Sequence, residues 1–167
     1  MRALLLICRS ITGLLFIFSG LIKANDPLGL AYKLDEYFLI FNLEWLVNYS
    51  LFIAVIFCIL EVVAGISVLA GSRLKFFAPL LLFLIIFFTF LTGYSAITGK
   101  VTDCGCFGDA IKLSPVTSFV KDLILMALIV PIFLKRKSIN PVTAGRLPDI
   151  ILICGLVAST AFTLYCY

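Results

Sequence analysis

Histidine is absent from this chain of 167 residues. That removes the commonest general base, the commonest metal ligand and the usual haem ligand. Charge is scarce too: 13% of the residues are Asp, Glu, Lys or Arg, where soluble domains carry about 25%. The net charge of +4 comes from 13 basic and 9 acidic residues. The basic residues sit at the ends of apolar segments, so they argue for membrane topology rather than for nucleic acid. No A-x-A-like cleavage site, internal repeat, heptad pattern or low-complexity tract is present. What fills the chain is apolar: 63% hydrophobic residues and a mean hydropathy of +1.20. A soluble core of this length cannot absorb so much apolar surface, so the lipid bilayer is the solvent to expect. The expectation is one all-α membrane domain over residues 1–167.

A bilayer core about 30 Å thick takes roughly 20 helical residues. Spans are expected at about 4–22, 51–70, 76–97, 115–134 and 150–167: a four-helix transmembrane bundle with a fifth, C-terminal span. The first run opens after Arg2 as a signal peptide would, but it continues to Ile22 and reads as a retained helix. The fourth is the shortest in apolar terms, because Leu123–Leu134 alone covers only about 18 Å. Ser114-Pro115 is a good helix start, Lys121 and Asp122 must then lie near a surface or inside the bundle, and Pro131 is a kink site. Between the first two spans, Leu34, Tyr37, Phe38 and Phe41 recur at helical spacing, with Lys33 and Glu36 off that stripe. This predicts an interfacial amphipathic helix, with Trp45 and Tyr49 suited to the aromatic belt.

With the N-terminus inside, eight basic residues fall on the inner side: Arg2, Arg9, Arg73, Lys75, Lys135, Arg136, Lys137 and Arg146. Five fall outside: Lys23, Lys33, Lys100, Lys112 and Lys121. The positive-inside rule therefore predicts a cytoplasmic N-terminus in a bacterial-type inner membrane. The loop after the third span and the C-terminus are then extracytoplasmic.

That loop, "KVTDCGCFGDAIKLSP", holds Cys104 and Cys106. Redox exchange needs one thiol that attacks and one that resolves, and a C-x-C pair supplies both. Gly105 removes the Cβ that would hinder so tight a ring. A structural disulfide pinning the loop is the second use. Metal binding is the third, but two thiolates without histidine leave a tetrahedral site half made. Cys166 is expected at the same surface as the pair. Cys8, Cys58 and Cys154 are read as small apolar fillers without chemistry.

Glu61 sits in the middle of the second span, where an acidic residue costs about 2.5–3.5 kcal/mol to insert. It is expected to face the bundle, protonated or hydrogen-bonded, either as a polar clasp between helices or as a proton or ligand site. Gly65, one turn on, would let a neighbouring helix come close. Arg9 is expected to snorkel to the inner surface or to meet an acid in the bundle. Lys23 and Asp26 are expected at a solvated helix end, or along the outer rim near the cysteine loop.

"RSITGLLFIFSGLIKANDPLGLAYKLDEYF", "EVVAG" and "DCGCFGD…KLSP…KD" resemble the DoxX-like family and its redox-associated MauE branch, from about Arg9 to Leu134. The resemblance implies a four-helix membrane bundle that handles disulfides beside a thioredoxin-like protein, acting in trans or continuing C-terminal to this chain. By motif match, Cys104 and Cys106 carry over as the redox pair of a thiol-disulfide oxidoreductase component. Arg9, Lys23, Asp26, Glu61, Asp103 and Asp109 carry over as signature positions. The bundle is also similar to the vitamin K epoxide reductase-like proteins, which pass electrons to quinone, although no second cysteine pair like theirs is legible and no other cofactor is evident. Two other functions stay open on the residues alone: a non-enzymatic scaffold for a redox or respiratory partner, and a small transporter or ligand-binding bundle using Glu61.

Overall fold

The structure, a computed structural model, describes residues 2–99, 114–137, 139 and 146–166. Its helices are α1 (Arg2–Asn25), α2 (Pro27–Ile40), α3 (Ser50–Ala70), α4 (Leu74–Thr98), α5 (Pro115–Lys135) and α6 (Leu147–Tyr165), with a 3-10 turn at Glu44–Tyr49 ahead of α3. Five of these segments are long and apolar enough to cross a membrane: Leu4–Asn25, Glu44–Ala70, Leu74–Thr98, Pro115–Lys135 and Leu147–Tyr165. Their outward faces carry exposed Leu, Ile and Phe, as on Ile7, Leu14, Phe18, Phe83 and Ile153. Surfaces of that kind are stable against lipid, not water.

The inner core joins α1, α3, α4 and α5 through Phe16, Val68, Leu81, Ile85 and Ile129. α1 packs chiefly on α3 and α4 chiefly on α5, while α6 lies on the outer side of α3. Both main pairs are antiparallel. Along the first, Arg9 meets Val68 and Lys23 meets Glu61. Along the second, Thr92 meets Asp122.

α2 forms where the apolar stripe predicted a helix, but its stripe meets protein. Asp26 caps it, accepting from the Gly29 amide at 2.9 Å, and Pro27 occupies the first turn. Asp26 is thus a helix cap, half-buried at the turn between α1 and α2. Leu30, Ala31, Leu34 and Phe38 bury against Ala24 of α1 and Ala54 and Cys58 of α3. The Tyr37 hydroxyl lies 2.6 Å from Ser95 Oγ, which ties α2 to α4.

The turn between α3 and α4 is short. Gly71 and Arg73 both take positive φ, at 70° and 50°, a region that glycine enters freely and other residues seldom do. Ser67 Oγ donates to the Ser72 carbonyl at 2.5 Å and braces the turn. Arg73 Nε then donates to Asp149 Oδ1 at 2.9 Å, fastening the start of α6 to this end of the bundle. The tail of α5 adds Lys135, Arg136 and Lys137 there, beside the start of α1.

Candidate functional site

α1 and α3 share a spacing that makes them fit. Buried positions fall at Arg9, Gly13, Phe16, Gly20 and Lys23 on α1, and at Ala54, Cys58, Glu61, Gly65 and Val68 on α3. Both follow steps of four, three, four and three, the repeat that keeps one helix face on a partner. Small residues set the separation. A Cβ on Gly65 would lie 2.8 Å from the Gly13 carbonyl oxygen and 3.0 Å from the Ile17 amide nitrogen. Backbone stands that close only at glycine, and membrane helices associate largely through such packing.

The two ends of this seam carry charge. At one end Arg9, 5% exposed, donates from Nε to the Val68 carbonyl at 3.0 Å and from Nη2 to the Leu69 carbonyl at 3.1 Å. These carbonyls belong to the last turn of α3, where carbonyls lack their regular intrahelical donors; Val68 also accepts from the Gly71 amide at 3.3 Å. Arg9 therefore neither snorkels nor meets an acid: a guanidinium is favourable at a helix C-terminus, and the carbonyls there need donors.

At the other end Lys23 and Glu61 form an ion pair, Nζ to Oε1, at 2.5 Å. Lys23 is 2% exposed and Glu61 is 1% exposed. The ammonium also donates to Ser19 Oγ at 3.2 Å and lies 4.3 Å from the centre of the Phe88 ring on α4. A fully desolvated cation is tolerable with such an arrangement: an opposite charge, a neutral acceptor and an aromatic face. The expected solvated helix end at Lys23 is thus corrected. α1 runs on to Asn25, and α2 folds back over its end. Glu61 faces the bundle as expected, as a clasp between α1 and α3.

A second pair stands opposite, on α5. Lys121 Nζ lies 3.2 Å from Asp122 Oδ1, and Thr92 of α4 donates to Asp122 Oδ2 at 3.1 Å. Asp122 is 2% exposed and Ser118 is 1% exposed, so one polar face of the start of α5 is inside the bundle, while Thr117 is exposed. Between the two pairs is a cavity of about 30 Å³, bordered by Ser19, Lys23, Glu61, Lys121 and Asp122, with Phe88 among its apolar walls. That is enough space to admit water. Glu61 Oε2 and Ser118 Oγ are buried and have no hydrogen-bond partner among the described residues.

Sequence reasoning singled out Glu61, Lys23 and Asp26 separately but did not join Lys23 to Glu61, nor Glu61 to Lys121 and Asp122. The available signal was the matched spacing on α1 and α3, which brings positions 23 and 61 to one seam. Cys104, Cys106, Asp103 and Asp109 lie outside the described residues. Cys8 and Cys58 are buried as expected, whereas Cys154 is exposed on α6, and Cys166 is half-buried at its end. α6 packs on the bundle by one face only, and Cys154 is on another.

The family described as "Methylamine utilisation protein MauE" matches residues 1–135, which takes in α1 to α5 and the charge cluster. Among curated proteins, "Protein TlpB" of Flavobacterium psychrophilum is 26% identical over 114 residues, covering 64% of this chain and 28% of that protein. The chain thus spans under a third of that relative's length. No solved structure matches the chain significantly. With five helices fit to cross a bilayer and a family match from residue 1 to the end of α5, this chain is an integral membrane protein and belongs to the MauE family.

Proposed function

We propose that the protein is the membrane component of an extracytoplasmic thiol-disulfide system, with Cys104 and Cys106 as its exchanging pair. The observation that carries this reading is the Cys104-Gly-Cys106 sequence inside the stretch matched to the MauE family. In the exchange, a thiolate attacks a disulfide sulfur and a mixed disulfide forms. The second thiol of the attacking pair then resolves it. Two electrons pass between this chain and a thioredoxin-like partner, one pair being oxidised as the other is reduced.

Two structural features support it. α4 closes on a left-handed Gly99 cap, and α5 opens on Ser114, whose side chain accepts from the Thr117 amide. Because these helices pack antiparallel, the chain leaves and re-enters the bundle at one end. The opposite end collects Arg73, Lys75, Lys135, Arg136, Lys137 and Arg146 at helix termini. By the positive-inside rule that basic end is cytoplasmic, and the end at Gly99 and Ser114 is outside.

The test is thiol trapping in intact cells. Cys104→Ser and Cys106→Ser variants, quenched with acid and alkylated, should accumulate a mixed disulfide through the remaining cysteine. If neither variant ever traps a partner while the loop is reachable by an impermeant maleimide, the exchange role is wrong. The loop would then serve as a docking element.

A further inference from the structure

We propose that the groove between the start of α1 and the end of α5 is a site for an anionic phospholipid: one acyl chain lies in the groove, and the phosphate rests on the basic residues that end α5. This rests neither on the disulfide reading above nor on which side of the membrane the basic end faces.

The groove, about 240 Å³, is walled by Leu4 and Leu5 of α1 and by Pro131 and Leu134 of α5, with Lys135 also bordering it. The four apolar walls belong to segments fit to cross a membrane, so what fills the groove comes from the bilayer rather than from water. Lys135 closes α5, and Arg136 and Lys137 follow at once. Three cations in a row thus stand where the apolar walls end, at the depth of the lipid phosphates. Arg136 is held there: its Nη1 donates to the Phe133 carbonyl at 2.7 Å, and its guanidinium lies 4.0 Å from the centre of the Phe133 ring. A guanidinium carries five N–H donors in a fork that suits phosphate, and that carbonyl takes one of them. Topology asks only for positive charge beside a span. It does not ask for an apolar groove that ends beneath the charge, whereas a ligand with a tail and an anionic head does.

Charge selects both the head group and the occupant. Six basic residues stand at helix termini at this end of the bundle, and Asp149 is the one acid there among the described residues, held by Arg73 at 2.9 Å. A second groove at the same end, about 210 Å³, is bordered by Val63, Phe77 and Leu152 and by both Arg73 and Asp149. Its local charge cancels, so it favours no anion. No described acid borders the groove between α1 and α5. A second copy of this chain is a poor occupant. Both copies insert in the same orientation, so their basic ends would meet across the interface, and like charges there repel. An anionic phospholipid brings the opposite sign at the right depth. Each Lys or Arg near a membrane surface raises affinity for anionic lipid about fivefold.

Native mass spectrometry of the intact protein in detergent, titrated with dioleoylphosphatidylglycerol or dioleoylphosphatidylcholine, tests the site. One phosphatidylglycerol should be retained with clearly higher affinity than phosphatidylcholine. Lys135→Gln/Lys137→Gln, which keeps the Arg136 contacts, should weaken phosphatidylglycerol about 25-fold and bring it close to phosphatidylcholine. Leu5→Trp, which fills the groove, should remove the preference with every charge kept. Leu134→Trp, at an exposed position, takes its place if the first variant does not fold. Equal affinities for the two lipids in the parent protein overturn the proposal, as does a preference that survives either the charge variant or the groove variant. Displacement of the lipid by inorganic phosphate at constant ionic strength would give the site to a free anion. A lipid-free dimer lost in the groove variant would give the groove to a second copy. Either result also overturns it.

Discussion

Replacing Lys23 by Met tests the energetics of the cluster most directly. The change keeps an unbranched side chain one atom shorter and removes the ammonium. Glu61, 1% exposed and held through Oε1 by Lys23 at 2.5 Å, then loses its charge partner while its other oxygen has no donor among the described residues. Breaking a buried pair by removing one partner typically costs about 3–5 kcal/mol. That lowers the folded-to-unfolded ratio by roughly two to four orders of magnitude. Loss of the contact with Phe88 adds to this in the same direction. Glu61→Leu alone should also destabilise, because it leaves the ammonium buried. Lys23→Met/Glu61→Leu together should recover most of the loss, since apolar replacement of a whole buried pair is often neutral or stabilising by about 1–4 kcal/mol. Reversible unfolding in mixed detergent micelles, run as a double-mutant cycle, measures all four states. If the single variants each lie within about 0.5 kcal/mol of the parent, a value typical of unrelated surface sites, the pair is not desolvated and the reasoning fails. If the double variant loses the sum of the two singles, the two side chains do not interact.

Two further predictions concern the same seam. Gly65→Ala puts a Cβ 2.8 Å from the Gly13 carbonyl oxygen, where only backbone movement can make room. It should destabilise by about 1–3 kcal/mol, measurably more than Gly155→Ala, whose added carbon meets only the flexible end of Ile66. Equal melting temperatures for the two variants would contradict the close approach of α1 and α3. Arg9→Met removes the side-chain donor from the Val68 and Leu69 carbonyls; Val68 keeps the Gly71 amide, so the loss is expected at about 1–3 kcal/mol, chiefly from Leu69. Hydrogen exchange in nanodiscs should show faster exchange in the last turn of α3, and unchanged protection there would argue against the cap.

Some of the site was legible before any fold was known, because its cost is local. A carboxylate at Glu61, ringed by Ile, Leu and Val in its own helix, must turn inward in any apolar solvent. The same logic exposed Ser114-Pro115 as a helix start and the Leu34-Tyr37-Phe38 stripe as the apolar face of a helix, though it assigned that face to the membrane interface rather than to α1 and α3. Lys23 was misplaced for the opposite reason. Near the end of an apolar run a lysine ordinarily reaches water, and only α2 folding over that end and α3 bringing Glu61 alongside make it an interior residue. Arg9 was misplaced because its partners are main-chain carbonyls, which no residue pattern advertises. The Arg73–Asp149 contact joins residues 76 positions apart, beyond the reach of any local period.

Length and apolarity of segments are properties of a single helix against lipid, so the sequence alone determined that the chain is an all-helical membrane protein with five spans. It also determined that residues 104 and 106 offer two thiols. Which charges face one another depends on helix pairing, and pairing is decided by where glycines let backbones approach. Only the tertiary structure, by closing Gly13 on Gly65 and α4 on α5, brought Lys23, Glu61, Lys121 and Asp122 around one small cavity.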